Sequence, residues 1–560
     1  MAKEKLTPEE KERLKFEKER EAWRKREAAG RKRKKGAPDK TKIIASIISI
    51  VLAAVVVCSI GYIYGKSYGL PGRFLTATSL EGDSISAPEY AFFFYNQYYN
   101  VAYQAEQFMS SYGLDLMQLD TTKSPWGQAS PYGMQWPTYL KKQTDASVLG
   151  LLAMIQAAEK AGITLSDADK AAVESQIDEL KATAQSYGMS YGAFLRLNYT
   201  AGITPAKYKK ILEREKIIAA YEEKLKADYG AAHTDAELQE EYDKDPAAYN
   251  SVSVRILTFT KDTLTAAEGE SDDALAKRQE TADKAVVAEA KTFTSKVSSE
   301  DSFLKAAAEE NSDIEGYDAD SATGQFLVQK DDLSSFGTDV TDWIFNKSRK
   351  AGDKTTIEGT SSVYCIYMIQ PAYAPLTVDF YTVDYAFPSP ADGVANTEEE
   401  KAQTKEQADA TLQQWKDSGA TEEAFKELAA AAHSAEEDVE EDHVHGFYPA
   451  TSPSDITDNS VKKWLFDKSR KDGETAIVET STGYAVFYFV RQNTSEPAWL
   501  KALREEKSET DYDAYYASLT SGTGEGAAKL NENRLGIYFA MKTAQNMVEN
   551  YVRNSASSAG

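Results

Sequence analysis

The sequence predicts an α+β multidomain protein: an N-terminal transmembrane helix, a helical domain, two tandem α+β modules and C-terminal helices. Three observations predict it. Residues 43–64 read IIASIISIVLAAVVVCSIGYIY, 22 positions without a charge, enough to cross about 30 Å of hydrocarbon at about 1.5 Å per residue. Helix-start signals recur between residues 79 and 250. Finally, thirteen residues occur twice: Val340 to Gly352 reads VTDWIFNKSRKAG and Val461 to Gly473 reads VKKWLFDKSRKDG, with eight positions identical at a constant offset of 121.

Residues 1–42 hold 17 Lys and Arg against 9 Asp and Glu. The cluster Arg31-Lys-Arg-Lys-Lys35 places this tail in the cytoplasm by the positive-inside bias. The span 43–64 then makes a single-pass cell-membrane protein whose C-terminal bulk is extracytoplasmic. A linker containing Gly69, Pro71 and Gly72 leads into the helical domain, 79–250. There Gly82 and Asp83 suit a turn, and Ser86 with Glu89 forms a capping-box pair ahead of the aromatic run Tyr90 to Tyr99. That helix is aromatic on too many sides for a free surface. Either other helices surround it, or it lines an apolar cleft in which Tyr90, Phe93, Phe94 and Tyr98 grip a peptide. Ser166 with Asp169, Thr204 before Pro205, and Thr234 with Glu237 start the later helices.

The modules span 251–373 and 376–493. Each opens with a strand, Val254 to Phe259 or Phe380 to Phe387, and passes through charged helices carrying Phe303 or Phe425. Each then reaches the shared motif, whose short helix must bury one stripe, so Trp343, Phe345, Trp464 and Phe466 are expected in a core. The apolar runs Val363 to Ile369 and Tyr484 to Val490 suit buried strands. Superposing the copies lays Trp343 on Trp464 and Tyr364 on Ala485. Residues 494–560 return to helical patterns through Trp499, Leu503, Tyr512 and Tyr551.

The net charge of −24 hides an asymmetry, because the first 42 residues sum to +8 and the remainder to −32. So acidic a surface argues against nucleic-acid binding, which needs cations to displace counterions. The two cysteines, Cys58 and Cys365, exclude a disulfide framework and a cysteine-rich zinc site. His443-Val-His445 beside the acidic run 436–442 fits either a divalent metal or a solvated loop, and no metal is assigned there. No phosphate loop, nucleophile elbow or zinc-protease helix occurs, so no cofactor is expected.

Several motifs together resemble the parvulin-type extracytoplasmic foldases, the SurA- and PrsA-like chaperones. These are Gly82-Asp-Ser-Ile-Ser86…Glu89-Tyr90, Thr234-Asp-Ala-Glu-Leu238…Tyr242…Pro246…Tyr249, Val254-Arg-Ile-Leu257, and Phe345…Gly352-Asp353 with Phe466…Gly473-Glu474. The resemblance covers residues 79–493. It implies parvulin-like α+β modules, prolyl isomerase activity in active members, and chaperoning by a SurA N-terminal-like helical domain. Active parvulins carry one His on the first strand and one on the last. Here the matching positions hold Arg255 and Tyr364 in the first module and Asp384 and Ala485 in the second, with Asp313 at the place of an expected acid. X-Pro isomerisation crosses about 18–20 kcal/mol with no bond broken, so losing the histidines does not exclude activity. The expected function is a membrane-anchored foldase that holds exported, unfolded polypeptides with weak or no isomerase activity. An active isomerase and a structural scaffold of an envelope complex are the alternatives.

Overall fold

The computed structural model describes residues 72–314, 316–388, 396–433, 446–520 and 528–558, with Lys18. They form a mixed α+β chain with three antiparallel sheets. The transmembrane helix of the expected architecture is not found among the described residues. Among the described residues no helix is long and apolar enough to cross a membrane. The long helices interleave charge with apolar residues, as in the run KYKKILEREKIIAAYEEKLKADY within Pro205–Ala232. Residues 43–64, on which the expectation rested, lie outside the described residues, as do His443 and His445. Internal contacts divide the chain into two units, one comprising residues up to Glu222 with those from Tyr515 onward, the other Glu223–Ala514.

In the first unit β1 (Thr76–Leu80) and β2 (Asp83–Ser86) form a hairpin, and β11 (Asn531–Glu532) pairs with the free side of β1. The two turn residues Glu81 and Gly82 both have positive φ, 43° and 109°, the conformation that a tight hairpin of natural twist requires. Helix α1 (Ala87–Tyr112) follows, started by the Ser86–Glu89 capping box and stopped by Gly113 at φ 64°. Helices α2 (Trp136–Lys160), α3 (Asp167–Ser186), α4 (Tyr191–Asn198) and α5 (Pro205–Ala232) come next in sequence. The C-terminal helix α15 (Arg534–Ser558) belongs to this same unit. Its residue Ala540 packs with Ala87 and Tyr90 of α1, and Ala544, Val548 and Val552 pack with Ala91, Phe94, Tyr98, Ala102 and Ala105. The aromatic helix is therefore covered by α15 along this face.

The second unit holds the repeats. The first module contains β3 (Ser251–Thr260), α7 (Asp272–Lys296), α8 (Glu300–Glu310), α9 (Ala319–Thr323), β4 (Gly324–Val328), α10 (Thr338–Ile344), β5 (Lys354–Glu358) and β6 (Ser362–Tyr373). The second contains β7 (Leu376–Ala386), α11 (Glu398–Asp417), α12 (Glu422–His433), β8 (Phe447–Thr451), α13 (Asn459–Leu465), β9 (Thr475–Glu479) and β10 (Gly483–Pro497). The sheet orders are β4-β3-β6-β5 and β8-β7-β10-β9. Helices α6 (Asp235–Tyr242) and α14 (Ala498–Thr520) flank the modules in sequence and share a core of Leu238, Trp499, Leu500 and Leu503.

The duplicated motif does the same work in both copies. Trp343 and Trp464 are half-buried, each under a guanidinium: Arg349 lies 4.6 Å and Arg470 4.3 Å from the respective ring centroids. Arg470 also pairs with Glu474 at 2.8 Å. Gly352 and Gly473 take φ 87° and 81° and donate their N–H groups at 2.8 Å to Met368 O and Phe489 O. Each glycine thus turns the chain back to its own sheet where an L side chain would be strained.

Candidate functional site

Side chains alternate across a strand, and this decides which predicted site residues meet. On β3, Leu257 and Phe259 face the helical core of Phe293 and Phe303. Val252, Val254 and Ile256 face the opposite core with Val340, Ile344 and Met368. Arg255 stands opposite Tyr367, on the side of Leu257, whereas Tyr364 stands opposite Thr258 and packs with Ile366 and Met368. The pair expected at one site therefore lies on opposite faces of the sheet. Tyr364 is half-buried with the Phe336 ring edge-on at 5.6 Å.

The Arg255 side chain is only 1% exposed, and each of its three nitrogens donates. Nε and Nη2 reach Glu300 Oε1 at 3.0 and 2.7 Å, Nη1 reaches Asp320 O at 2.6 Å, and Nη2 also bonds the Asp320 carboxylate. Glu300 opens α8, where a carboxylate is favoured by the helix N-terminus. Phe326 lies beneath the guanidinium, 4.7 Å from centroid to Cζ. Gly324 leaves the room this needs, since a Cβ there would sit 2.9 Å from Arg255 Nη1. Lys463, on α13 of the second module, comes to 2.9 Å from Asp320 Oδ2 and 4.0 Å from the Phe326 centroid. Burial alone would raise the Asp320 carboxyl, but the hydrogen bonds and charges of Lys463 and Arg255 outweigh it and hold it below the usual carboxylate range. Four of the five N–H groups of the guanidinium are thus engaged within the first module, and Asp320 and Phe326, which also meet Lys463, join that module to the second. Asp313 sits exposed in the turn after α8, while Glu300 and Asp320 are the acids that reach Arg255.

In the second module Asp384 and Ala485 are direct cross-strand partners, with Ala485 in the core and Asp384 exposed at the strand end. Thr382 Oγ1 donates to Asp384 Oδ1 at 3.3 Å. The register also re-aligns the first strands. Tyr381, opposite Tyr488, stands 126 positions after Arg255, while Tyr488 stands 121 after Tyr367. Arg255 is thus level with Tyr381, and Asp384 with Thr258. The middle of the second module is five residues shorter, with 83 positions from Tyr381 to Trp464 against 88 from Arg255 to Trp343, and this hid the alignment.

On α1, Tyr90, Phe94 and Tyr98 are fully buried and Phe93 is half-buried. The Tyr90 hydroxyl donates to Asp145, and burial together with that carboxylate drives its pKa upward. What the helix offers outward is a different set. Tyr99 and Tyr103 lie one turn apart, Met109 follows, and beyond Gly113 come Leu114 and Leu116; each is 44–55% exposed. The 23 residues from 113 to 135 contain no helix or strand, a length that is unusual inside a compact unit and commonly functional. This loop is nevertheless tied down. The Gln128 amide accepts from Asp120 N at 2.9 Å and donates to Asp120 O and Ser124 O at 3.0 and 3.1 Å. Trp136 Nε1 donates to Gln118 O at 3.3 Å, and Trp126 packs 6.0 Å from Phe94. Sequence reasoning missed this strip because the buried and exposed faces of α1 share one composition. The four-residue step from Tyr99 to Tyr103, just past the run, was the available signal. Among the described residues no group of three or more His, Cys, Asp or Glu is placed to hold a metal. No protein-family model matches the chain, and no curated protein matches it either.

Proposed function

We propose that the chain holds unfolded polypeptides, in the manner of the parvulin-type foldase chaperones it resembles, with exported chains as the expected clients. The observation that carries this reading is the exposed strip of Tyr99, Tyr103, Met109, Leu114 and Leu116 on a rigid frame. Tyrosine offers apolar area with a polar tip at low entropic cost, and methionine adapts to partners of varied shape. An unfolded segment presents its apolar side chains in no fixed order, which suits a shallow strip better than a deep pocket. A working isomerase is less well supported, because Arg255 is enclosed by Glu300 and Asp320 and faces away from Tyr364.

The test compares aggregation and refolding with the same purified full chain. Light scattering of a diluted, denatured client should fall in its presence, while a proline-limited refolding reaction keeps its uncatalysed rate. The triple substitution Tyr99→Ser, Tyr103→Ser and Leu116→Ser should lose most of the suppression yet change stability by no more than about 0.5 kcal/mol per site, as exposed side chains do. Suppression unaffected by that triple change would remove the strip from the mechanism.

A further inference from the structure

Several aromatic faces of this chain already carry a cation: Arg349 over Trp343, Arg470 over Trp464, Lys463 over Phe326, and Lys468 over Tyr373 at 3.9 Å. Among the described residues no Lys or Arg covers the rings of Tyr99 or Tyr103. The sequence makes this unavoidable locally, because no Lys or Arg occurs from Tyr90 to Thr122. That stretch instead supplies carboxylates. Glu106 falls three residues after Tyr103, on the same helical stripe, and Asp115 separates Leu114 from Leu116. Both are exposed, and neither has an ion-pair partner among the described residues. Asp120, by contrast, is held by Lys123 at 2.6 Å.

Exposed tyrosine faces, aliphatic side chains and uncompensated carboxylates on one strip complement a definite chemistry. We infer that the preferred client segment is cationic as well as apolar: an extended stretch in which Lys or Arg alternates with bulky hydrophobic residues. Its apolar side chains lie on Met109, Leu114 and Leu116. Its ammonium or guanidinium groups lie over the faces of Tyr99 and Tyr103, where a ring attracts a cation, and within reach of Glu106 and Asp115. The inference rests on the polypeptide-holding reading and adds the charge of the client to it.

The experiment measures fluorescence anisotropy of three labelled peptides with the full chain at low salt. The peptides share one pattern of Leu and Phe and carry Lys, Ser or Glu between them. The Lys peptide should bind about tenfold tighter than the Ser peptide, from a few surface-strength charge and cation–π contacts, and the Glu peptide should bind most weakly. In the double variant Glu106→Gln, Asp115→Asn most of the Lys preference should be lost, with the Ser affinity unchanged. Equal binding of all three to the unaltered chain overturns the inference and leaves polypeptide holding intact. A Lys preference undiminished in the double variant also overturns it, because other acidic surface is then responsible. Binding of none of the three removes the polypeptide-holding reading as well. If sedimentation shows a concentration-dependent dimer that Tyr103→Ser abolishes, the strip's occupant is a second copy of the chain and the inference falls.

Discussion

A guanidinium on an apolar strand face is costly unless its donors find acceptors, and Arg255 finds them in Glu300 and Asp320. Arg255→Met removes one side of that arrangement. Because both carboxylates keep some access to water, the expected loss is at the low end for breaking a buried pair, about 3 kcal/mol, read as a shift in the urea midpoint of unfolding. A loss under about 1 kcal/mol would mean that the cluster is not an effective tie. The pH dependence has a definite sign. The Asp320 carboxyl is depressed in the folded chain, so the stability it lends is fully present above its unfolded value, about 3.9. That stability is lost as pH falls through the lower folded value. Asp320→Asn should flatten this acid limb and leave the neutral-to-basic range parallel to the parent. Arg255 itself was legible in the strand Val254-Arg-Ile-Leu257. Its partners were not, for they lie 45 and 65 positions downstream, and only folding brings them together.

Helix starts were the most legible elements. Ser86–Glu89, Ser166–Asp169 and Thr234–Glu237 all form capping boxes, because a cap is a local bargain between a side chain and nearby N–H groups. The repeated strands were legible for a similar reason, as their apolar runs are short and contiguous. The β-bulges were not. In β4 and β8, Leu327 and Ala450 have φ 49° and 46°, and each donates its N–H to a side chain of the first strand: Leu327 to Ser253 Oγ at 3.1 Å, Ala450 to Asp379 Oδ1 at 2.7 Å. Nothing in the local residue types marks a positive φ for a leucine, which is an outlier there. Its side chain packs into the core of the second module with Val378, Val461 and Leu465, and that burial offsets the strain. The two positions should therefore respond unequally to glycine. Ala450→Gly should change stability by less than about 1 kcal/mol, since relief of strain and added chain entropy nearly cancel. Leu327→Gly should cost at least about 2 kcal/mol from the lost packing. Equal responses at the two sites would show that Leu327 does not bridge the modules.

At the scale of the whole molecule the charge is unevenly placed. Residues 223–514 carry a net −31, while the rest of the chain beyond residue 42 is close to neutral. The acidic modules repel one another's copies and favour solubility, and the apolar strip belongs to the near-neutral part outside them. The unit boundaries fall inside α5 and α14. The return of α15 to α1 joins residues more than 400 positions apart, for which no local pattern stands. The central claim is that an unfolded client lies on the outward face of α1 and the loop after it. Hydrogen exchange of the full chain, with and without a permanently unfolded client, tests this most directly. Client-dependent protection should concentrate between residues 99 and 120, leaving 251–493 unchanged; protection confined to the tandem modules, with 99–120 exchanging freely, would contradict it.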